Sequence, residues 1–478
     1  MKQPTKESRN NPIGLWVFVI CLLLFLGGLS TVGVAWGVRH ALMQGQGSDL
    51  VMSATQKDAV LKIAEFPATV RDAIQYLRGL EKNPLLFSRS EKEKATWIRR
   101  FPAPEDPGYL LYSGLYRNES AWSVKLIRLA DGKVLTSWEP DWKYVDSKIT
   151  KKKFDQPVDL SNMRAIDPLL LDDSDIIFVT GTATVRMPAC SRQPRWVLNE
   201  TMHHSTDLDL DGSSFWSPSV DLSGFESNQR LHSAVRDDAI ARVSLDGKLL
   251  DRWSFARISN DNELDFLLFN GNDAGDFNAD PIHMNQIRVA RIDSKFWKKG
   301  DLLVSLRNPN TVLLYRPATK KVIWRQTGPW LHQHSADFMN DHQISVFNNN
   351  VVLQSPPDDA FLTRQSGNEV MVYDFETNQV TQPFKSVLDA AHPRSIGEGR
   401  ARILPDGGLF FEETENGRIL RFSRDRLLWS FVNDHDDKHI GALAWSSYLT
   451  ADEARKPLEA LGAMHCLAPE APAAARSP

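Results

Sequence analysis

"VKLIRLADGKVLTSW", residues 124–138, reads as an apolar run, an Asp-Gly turn, a second apolar run and a closing tryptophan. Asp-Gly between two such runs signals a β-hairpin, because the tight hairpin turn needs positive φ at its central residues and these two types tolerate it. The phrase returns as "ARVSLDGKLLDRW" (241–253), "VLLYRPATKKVIW" (312–324), "VMVYDFETNQVTQPF" (370–384) and "ILRFSRDRLLWSF" (419–431), with a degenerate copy, "VRMPACSRQPRW" (185–196). The turn chemistry changes to Ala-Thr-Lys-Lys and Glu-Thr-Asn-Gln in two copies, while the aromatic ending persists. A second hairpin type, "LDLDGSSFW" (208–216) and "ILPDGGLFF" (403–411), accompanies some copies. Six repeats of roughly 50–60 residues, each holding about four strands, predict an all-β six-bladed β-propeller. A large β-sandwich or a pair of β-domains explains the strands but not the period.

The remaining composition fits that reading. Of 478 residues, 42% are hydrophobic and 24% charged, with 14 tryptophans and 23 phenylalanines to fill faces between blades. A net charge of -4 argues against a nucleic-acid partner. Ile13–Val38, "IGLWVFVICLLLFLGGLSTVGVAWGV", is a run of 26 residues without a charge, longer than the roughly 20 a bilayer core requires. Lys2, Lys6 and Arg9 precede it, which predicts a cytoplasmic tail over 1–12, a single-pass anchor over 13–38 and an exported body. No convincing small-x-small cleavage site follows the run. "DAVLKIAEF" and "TVRDAIQYLRGLEK" carry apolar residues at helical spacing, so 39–105 is assigned to a helical stalk or cap. The propeller is expected over 106–465, and a disordered tail, ending "PEAPAAARSP", over 466–478. Cys21 falls in the anchor; Cys190 and Cys466 lie in the exported part and are expected to pair, since a propeller brings its terminal blades together.

Chemistry in a propeller gathers where the inner strands of different blades converge on the axis. Histidine recurs at that place. "MHHSTDLDLDG" opens the third repeat with His203 and His204, "DPIHMNQIRV" the fourth with His283 and Asn285, and "HQHSADFM" the fifth with His332 and His334. The sixth has His392 and Arg394 upstream, and Arg307 ends the second strand of the fourth, "GDLLVSLRN". Two chemistries suit the set. His332-x-His334 on one strand face, with His204 or His283 from another blade, suits zinc or copper. Asp207, Asp280 and Asp337, each three residues from a histidine, are expected on the opposite strand face and so are poor co-ligands. "DLDLDG" imitates half a calcium loop, but Pro218 stands where the closing glutamate is required. Alternatively, a neutral histidine attacks an electrophile while arginine holds the oxygens of a sulfate or phosphate. No Walker loop, G-x-G-x-x-G or G-x-S-x-G is present, so a nucleotide-linked donor lacks its usual cradle.

Taken in order, "HHSTDLDLDG", "DPIHMNQIRV", "GDLLVSLRNPNTVLLYRPATKKVIW" and "QHSADFMNDHQISVFNNN" resemble the core motifs of the bacterial arylsulfotransferase family, over about residues 165–435. The resemblance implies a periplasmic six-bladed propeller that moves a sulfuryl group from a phenolic sulfate ester to an acceptor phenol, with no nucleotide and no cofactor. It implies a transiently sulfated nucleophile at His334, supported by His204, His283, Asn285 and Arg307, and gives His332 no role. The competing expectation is a non-catalytic, membrane-anchored propeller that binds a glycan, an anion or an envelope partner, because one fold hosts many functions.

Overall fold

The computed structural model describes residues 86–88, 100–149, 163–220, 236–268, 280–353, 361–363 and 367–467. The chain divides into two compact units, Met1–Asn83 and Pro84–Pro478, and every described residue lies in the second. Ile13–Val38 and the two amphipathic segments of the expected stalk fall outside the described residues. Among the described residues no helix is long and apolar enough to cross a membrane. Leu86–Ser88, within the segment assigned to the stalk, is a short strand paired with His439–Gly441.

Six four-stranded antiparallel sheets form the six blades. The innermost strands are Ser447–Leu449, Ile166–Leu170, Asp207–Leu208, Met284–Val289, Ala336–Phe338 and Arg400–Ile403, for blades one to six. The first belongs to the end of the chain: Ser447–Leu449 pairs with Tyr109–Leu111, so blade one is built from both ends and closes the ring. Blade five carries an extra hairpin, Val351–Leu353 with Phe361–Thr363, between its second and third strands.

Each phrase that decides the fold is the outer hairpin of one blade, and its aromatic residue packs on the next blade. Trp138 Nε1 donates to the Ser174 carbonyl at 3.2 Å, and Trp196 Nε1 to the Leu245 carbonyl at 2.8 Å. Trp253 lies 6.1 Å from the ring of Tyr315, and Trp324 5.0 Å from that of Tyr373. Phe384 sits in one cluster with Leu409 and Phe411 of blade six. Phe431 meets Tyr112 of blade one at 6.0 Å and so completes the circle. A ring of this size removes a large apolar area from water at each junction and settles into edge or offset contact with its neighbour. That is the physical reason the aromatic survives where the turn chemistry changes.

The last described strand is followed by a helix, Ala451–Ala463. Thr450 and Glu453 form a reciprocal capping box at its start, the arrangement that satisfies two orphan N–H groups at once. Cys466 then pairs with Cys190, whose Cα is 5.8 Å away in the loop before the outermost strand of blade two. The expected pairing is therefore present, and Cys466, placed at the start of the tail in the sequence reading, is held to the propeller.

Candidate active site

Five inner strands carry, at or just before their start, a left-handed residue that is not glycine. These are Asp167 (φ 46°), His204 (φ 63°), His283 (φ 49°), His332 (φ 50°) and Trp445 (φ 62°), while blade six uses Gly399. A positive φ is disfavoured for side chains other than Asn, Asp and His, and clusters of such residues mark functional sites. From these kinks His204, His283 and Trp445 turn toward one another at one mouth of the channel, whereas Asp167 bonds Arg400 and His332 bonds the Val351 carbonyl.

Four of the histidines named from sequence meet there. The ring of His204 lies 5.0 Å from that of His203, 5.1 Å from His283 and 6.2 Å from His334. Trp445, from the closing segment, stands 6.1 Å from His204 and 6.3 Å from His334. A cavity of about 220 Å³ opens at this mouth, lined by His203, His204, Arg164, Arg236 and Trp445 among others. His334 is fully buried and does not line it. The rings of His204 and Trp445 do line the cavity and pack near His334.

The surroundings of His334 define its protonation. Asn349 donates through Nδ2 to the carbonyls of Ser395 (3.0 Å) and Glu398 (2.7 Å), which fixes its Oδ1 as the acceptor facing His334 Nδ1 at 2.6 Å. Nδ1 therefore carries the proton and Nε2 the lone pair. Burial, reinforced by the charge of Arg307, holds the ring well below its ordinary pKa, so it is neutral. Nε2 is buried without a hydrogen-bond partner among the described residues, as are Arg307 Nε, Asn285 Oδ1 and Gln333 Oε1. Buried polar atoms are nearly always paired, so an unpartnered Nε2 on a buried histidine asks for an explanation in function.

Arg307 follows the strand Leu302–Leu306, and its N–H bonds the carbonyl of His283 at 3.1 Å. Its Nη1 donates to Asn308 Oδ1 at 2.9 Å. Burial lowers its pKa, an effect that Asp280 and Glu415 partly offset. Asn285 donates to the Gln333 carbonyl at 2.9 Å, tying blade four to the segment that carries His334. His332 points elsewhere: its Nδ1 bonds the carbonyl of Val351 at 2.8 Å. His392 is the left-handed cap of the helix Lys385–Ala391, and the Arg394 N–H bonds Glu413 at 2.6 Å; neither is among the ring contacts around His334.

Two expectations are corrected. Asp280 does not point away from its histidine: its Oδ2 is 2.5 Å from His283 Nδ1. Strand alternation does not apply, because His283 lies before the strand in a left-handed kink. His332 and His334 likewise precede their strand, which starts at Ala336, so they do not share a strand face. Among the described residues no group of three or more His, Cys, Asp or Glu side chains is placed to hold a metal ion. Asp207 and Asp337 pair instead with Arg288, at 3.5 Å and 3.3 Å. Arg236, Asn349 and Trp445 escaped the sequence reading; the run of three asparagines, Asn348–Asn350, was the one signal for Asn349.

The fold and site together define a propeller whose channel mouth holds histidines from three blades, an arginine and paired amides. The sequence pattern of the arylsulfotransferase (ASST) family matches residues 175–434, more than half of the chain, and the protein belongs to that family. No curated protein matches the chain. Among solved structures, a protein of unknown function from Bacteroides caccae is 12% identical, with a TM-score of 0.43, covering 72% of this chain and 99% of its own. The Pan2 WD40 domain of Neurospora crassa is 9% identical, with a TM-score of 0.37, covering 76% and 93%.

Proposed function

We propose that this protein transfers a sulfuryl group from a phenolic sulfate ester to an acceptor phenol, through a covalent intermediate on His334. The observation that carries the reading is His334 itself: a neutral imidazole with Nδ1–H committed to an amide oxygen and a buried, unpartnered Nε2. That is the state a nitrogen nucleophile needs. In the first half-reaction the Nε2 lone pair attacks sulfur, the S–O(aryl) bond breaks and its electron pair leaves with the phenolate oxygen. In the second, the acceptor oxygen attacks sulfur as it loses its proton, and the N–S pair returns to Nε2. The Asn349 oxygen supports the positive charge that grows on the ring. Arg307 bears on the sulfuryl oxygens, as an oxyanion-holding donor in a dry site. Asn285 holds the backbone that presents His334. His283, aligned by Asp280, enters the first half-reaction as the imidazolium, gives the leaving phenolate its proton and, left neutral, takes the acceptor's proton in the second. The substrate reaches Nε2 from the cavity past the rings of His204 and Trp445.

The body is assigned to the outer side of the cytoplasmic membrane, on a single pass over Ile13–Val38. The charge-free run, the cations before it and the disulfide, which suits an oxidising compartment, support this placement. Retention of the full chain in membranes after a carbonate wash is the expected result; release of a body that begins near residue 40 refutes it.

The test of the chemistry is brief exposure to an aryl sulfate, rapid quench and mass analysis of the peptide spanning Gly328–Asn350. Wild type should gain the mass of one sulfuryl group, and His334→Asn should not. Undiminished turnover in His334→Asn would overturn the mechanism.

A further inference from the structure

We propose that Arg236, acting through His203, fixes the tautomer of His204 so that this ring offers Nε2–H to the reacting group, which makes Arg236 and His203 positioning residues for the transfer. The assignment follows from donor and acceptor counting. Arg236 Nη2 lies 2.7 Å from His203 Nε2. A guanidinium has donors and no acceptor, so His203 Nε2 must be the acceptor. Neutral His203 then carries its proton on Nδ1. That atom lies 2.7 Å from His204 Nδ1, so His203 donates and His204 accepts. Neutral His204 is left with its proton on Nε2. Its Nδ1 edge is committed to His203, while its ring stands between His283 and His334.

The supporting groups agree with this direction. Asp238 accepts from Arg236 Nε at 2.8 Å and is 3.3 Å from His203 Nε2, longer than the guanidinium contact. Asp280 is 3.7 Å from Arg236 Nη1. Burial would raise the Asp238 carboxyl, but the charge of Arg236 and the Met284 N–H, which donates to its Oδ2 at 2.5 Å, favour the anion that seats the guanidinium. Burial, with Arg236 adding to it, brings His203 down to about 4, and burial together with His203 holds His204 well below its ordinary value. Both rings are thus neutral, as the counting requires.

The consequence separates three histidines that sequence cannot tell apart. His334 presents a lone pair, His283 is a carboxylate-aligned imidazole, and His204 presents N–H. A neutral imidazole is too weak an acid to give that proton away. His204 therefore acts as a fixed hydrogen-bond donor to charge that develops on the sulfuryl or phenolate oxygen, which needs no reorganisation during the step. The inference rests on the sulfuryl-transfer reading of this site.

The test uses the full chain labelled with ¹⁵N-histidine, with His204 assigned through His204→Gln. Long-range ¹H–¹⁵N spectra should show a pyrrole-type Nε2 and a pyridine-type Nδ1 for His204. Arg236→Met frees His203 Nε2 to donate to Asp238, which reverses the relay and makes His204 Nε2 pyridine-type. With aryl sulfates graded by the acidity of the leaving phenol, Arg236→Met should lose about 10²-fold for poor leaving groups and less for good ones, the scale of one lost oxyanion donor. Arg236→Lys, still a pure donor, should recover part of the loss. A pyridine-type Nε2 in wild type overturns the proposal, even if Arg236→Met fails to fold. So does a loss in Arg236→Met that is the same for every leaving group. A wild type with the expected tautomer that transfers nothing would overturn the sulfuryl-transfer reading instead, and the role of the relay with it.

Discussion

The two ends of the central channel are built from the same inner strands and obey opposite rules. At the histidine mouth, beside the Arg236–Asp238 and His283–Asp280 pairs, the buried His334 Nε2 and Arg307 Nε have no partner among the described residues. Toward the other end, the charges are matched. Arg400 Nη1 lies 2.5 Å from Asp167 Oδ1, Arg288 bridges Asp207 and Asp337, Arg291 reaches Asp207 at 3.0 Å, and Arg402 holds Glu453 at 2.7 Å. That end opens into a larger cavity, about 840 Å³, lined by many of these pairs. Cavity size is therefore a poor guide here. Charges satisfied by one another rigidify the blades, whereas groups left unsatisfied against their own desolvation cost are available to a substrate.

The comparison predicts different failures at the two ends. Arg400 joins blade six to Asp167 of blade two and to the Trp445 carbonyl and Ser447 hydroxyl of blade one, with Arg400, Asp167 and Trp445 nearly closed to solvent. Arg400→Met leaves the Asp167 carboxylate buried with its nearest cation removed. Breaking a buried pair in this way costs about 3–5 kcal/mol. Denaturant titration should show that loss, while the folded fraction keeps most of its turnover per molecule. A variant as stable as wild type would show that the ionic layer is not what holds these blades.

Arg307→Ala should behave the other way. Its guanidinium Nε has no partner among the described residues and its Nη1 bonds a neutral amide, Asn308, rather than a buried carboxylate, so stability should change by less than at Arg400. Turnover with an aryl sulfate should fall about 10²–10³-fold, the usual scale for one oxyanion-holding donor. Arg307→Lys should restore only part, because the planar fork is lost. Equal stability losses at Arg307 and Arg400 would erase the distinction between the two ends.

How much of this was legible in the sequence follows the same division. The outer hairpins could be read because a turn and an aromatic end are local, and each aromatic is fixed by a contact every blade must make. The histidines could be read because they recur just before an inner strand. Asp280 was misread because period-two alternation was extended to a residue that sits in a left-handed kink. Arg236 and Trp445 were invisible for another reason. They matter through neighbours from other blades, and Trp445 arrives only when the chain end closes blade one. The final helix did announce itself, in Thr450-x-x-Glu453, a capping signal that the surrounding β repeats obscured.

A smaller effect is expected from acid. His203 is held down to about 4, chiefly by burial and then by Arg236, against about 6.5 for an ordinary histidine. Its folded pKa lies below its unfolded one, so the unfolded chain binds more protons below about pH 6.5. Stability should therefore fall as pH drops from about 6.5 toward about 4, with His204 and His334 acting in the same direction. Thermal melts across that range should show the slope. His203→Gln should reduce it, since an amide can accept from Arg236 and donate to His204 without titrating. An unchanged slope would place the acid sensitivity elsewhere.

The smallest effect belongs to His332, and it decides between the two chemistries that the His-x-His spacing allowed. A metal held by His332 and His334 makes the two histidines equally necessary. In the structure they are not equivalent. His332 has its Nδ1 on the Val351 carbonyl, its N–H on Asn310 Oδ1 at 2.7 Å and its backbone in the left-handed region. Those are the properties of a turn residue at the base of the blade-five insert. His332→Asn keeps a residue type that accepts positive φ and removes one hydrogen bond, worth about 1 kcal/mol. Turnover should stay within a few-fold of wild type, with a melting temperature lowered by a few degrees at most. A collapse of activity in His332→Asn that matches His334→Asn, together with loss of wild-type activity to a chelator, would return the site to a metal, since a sulfuryl-accepting His334 has no use for its neighbour's ring.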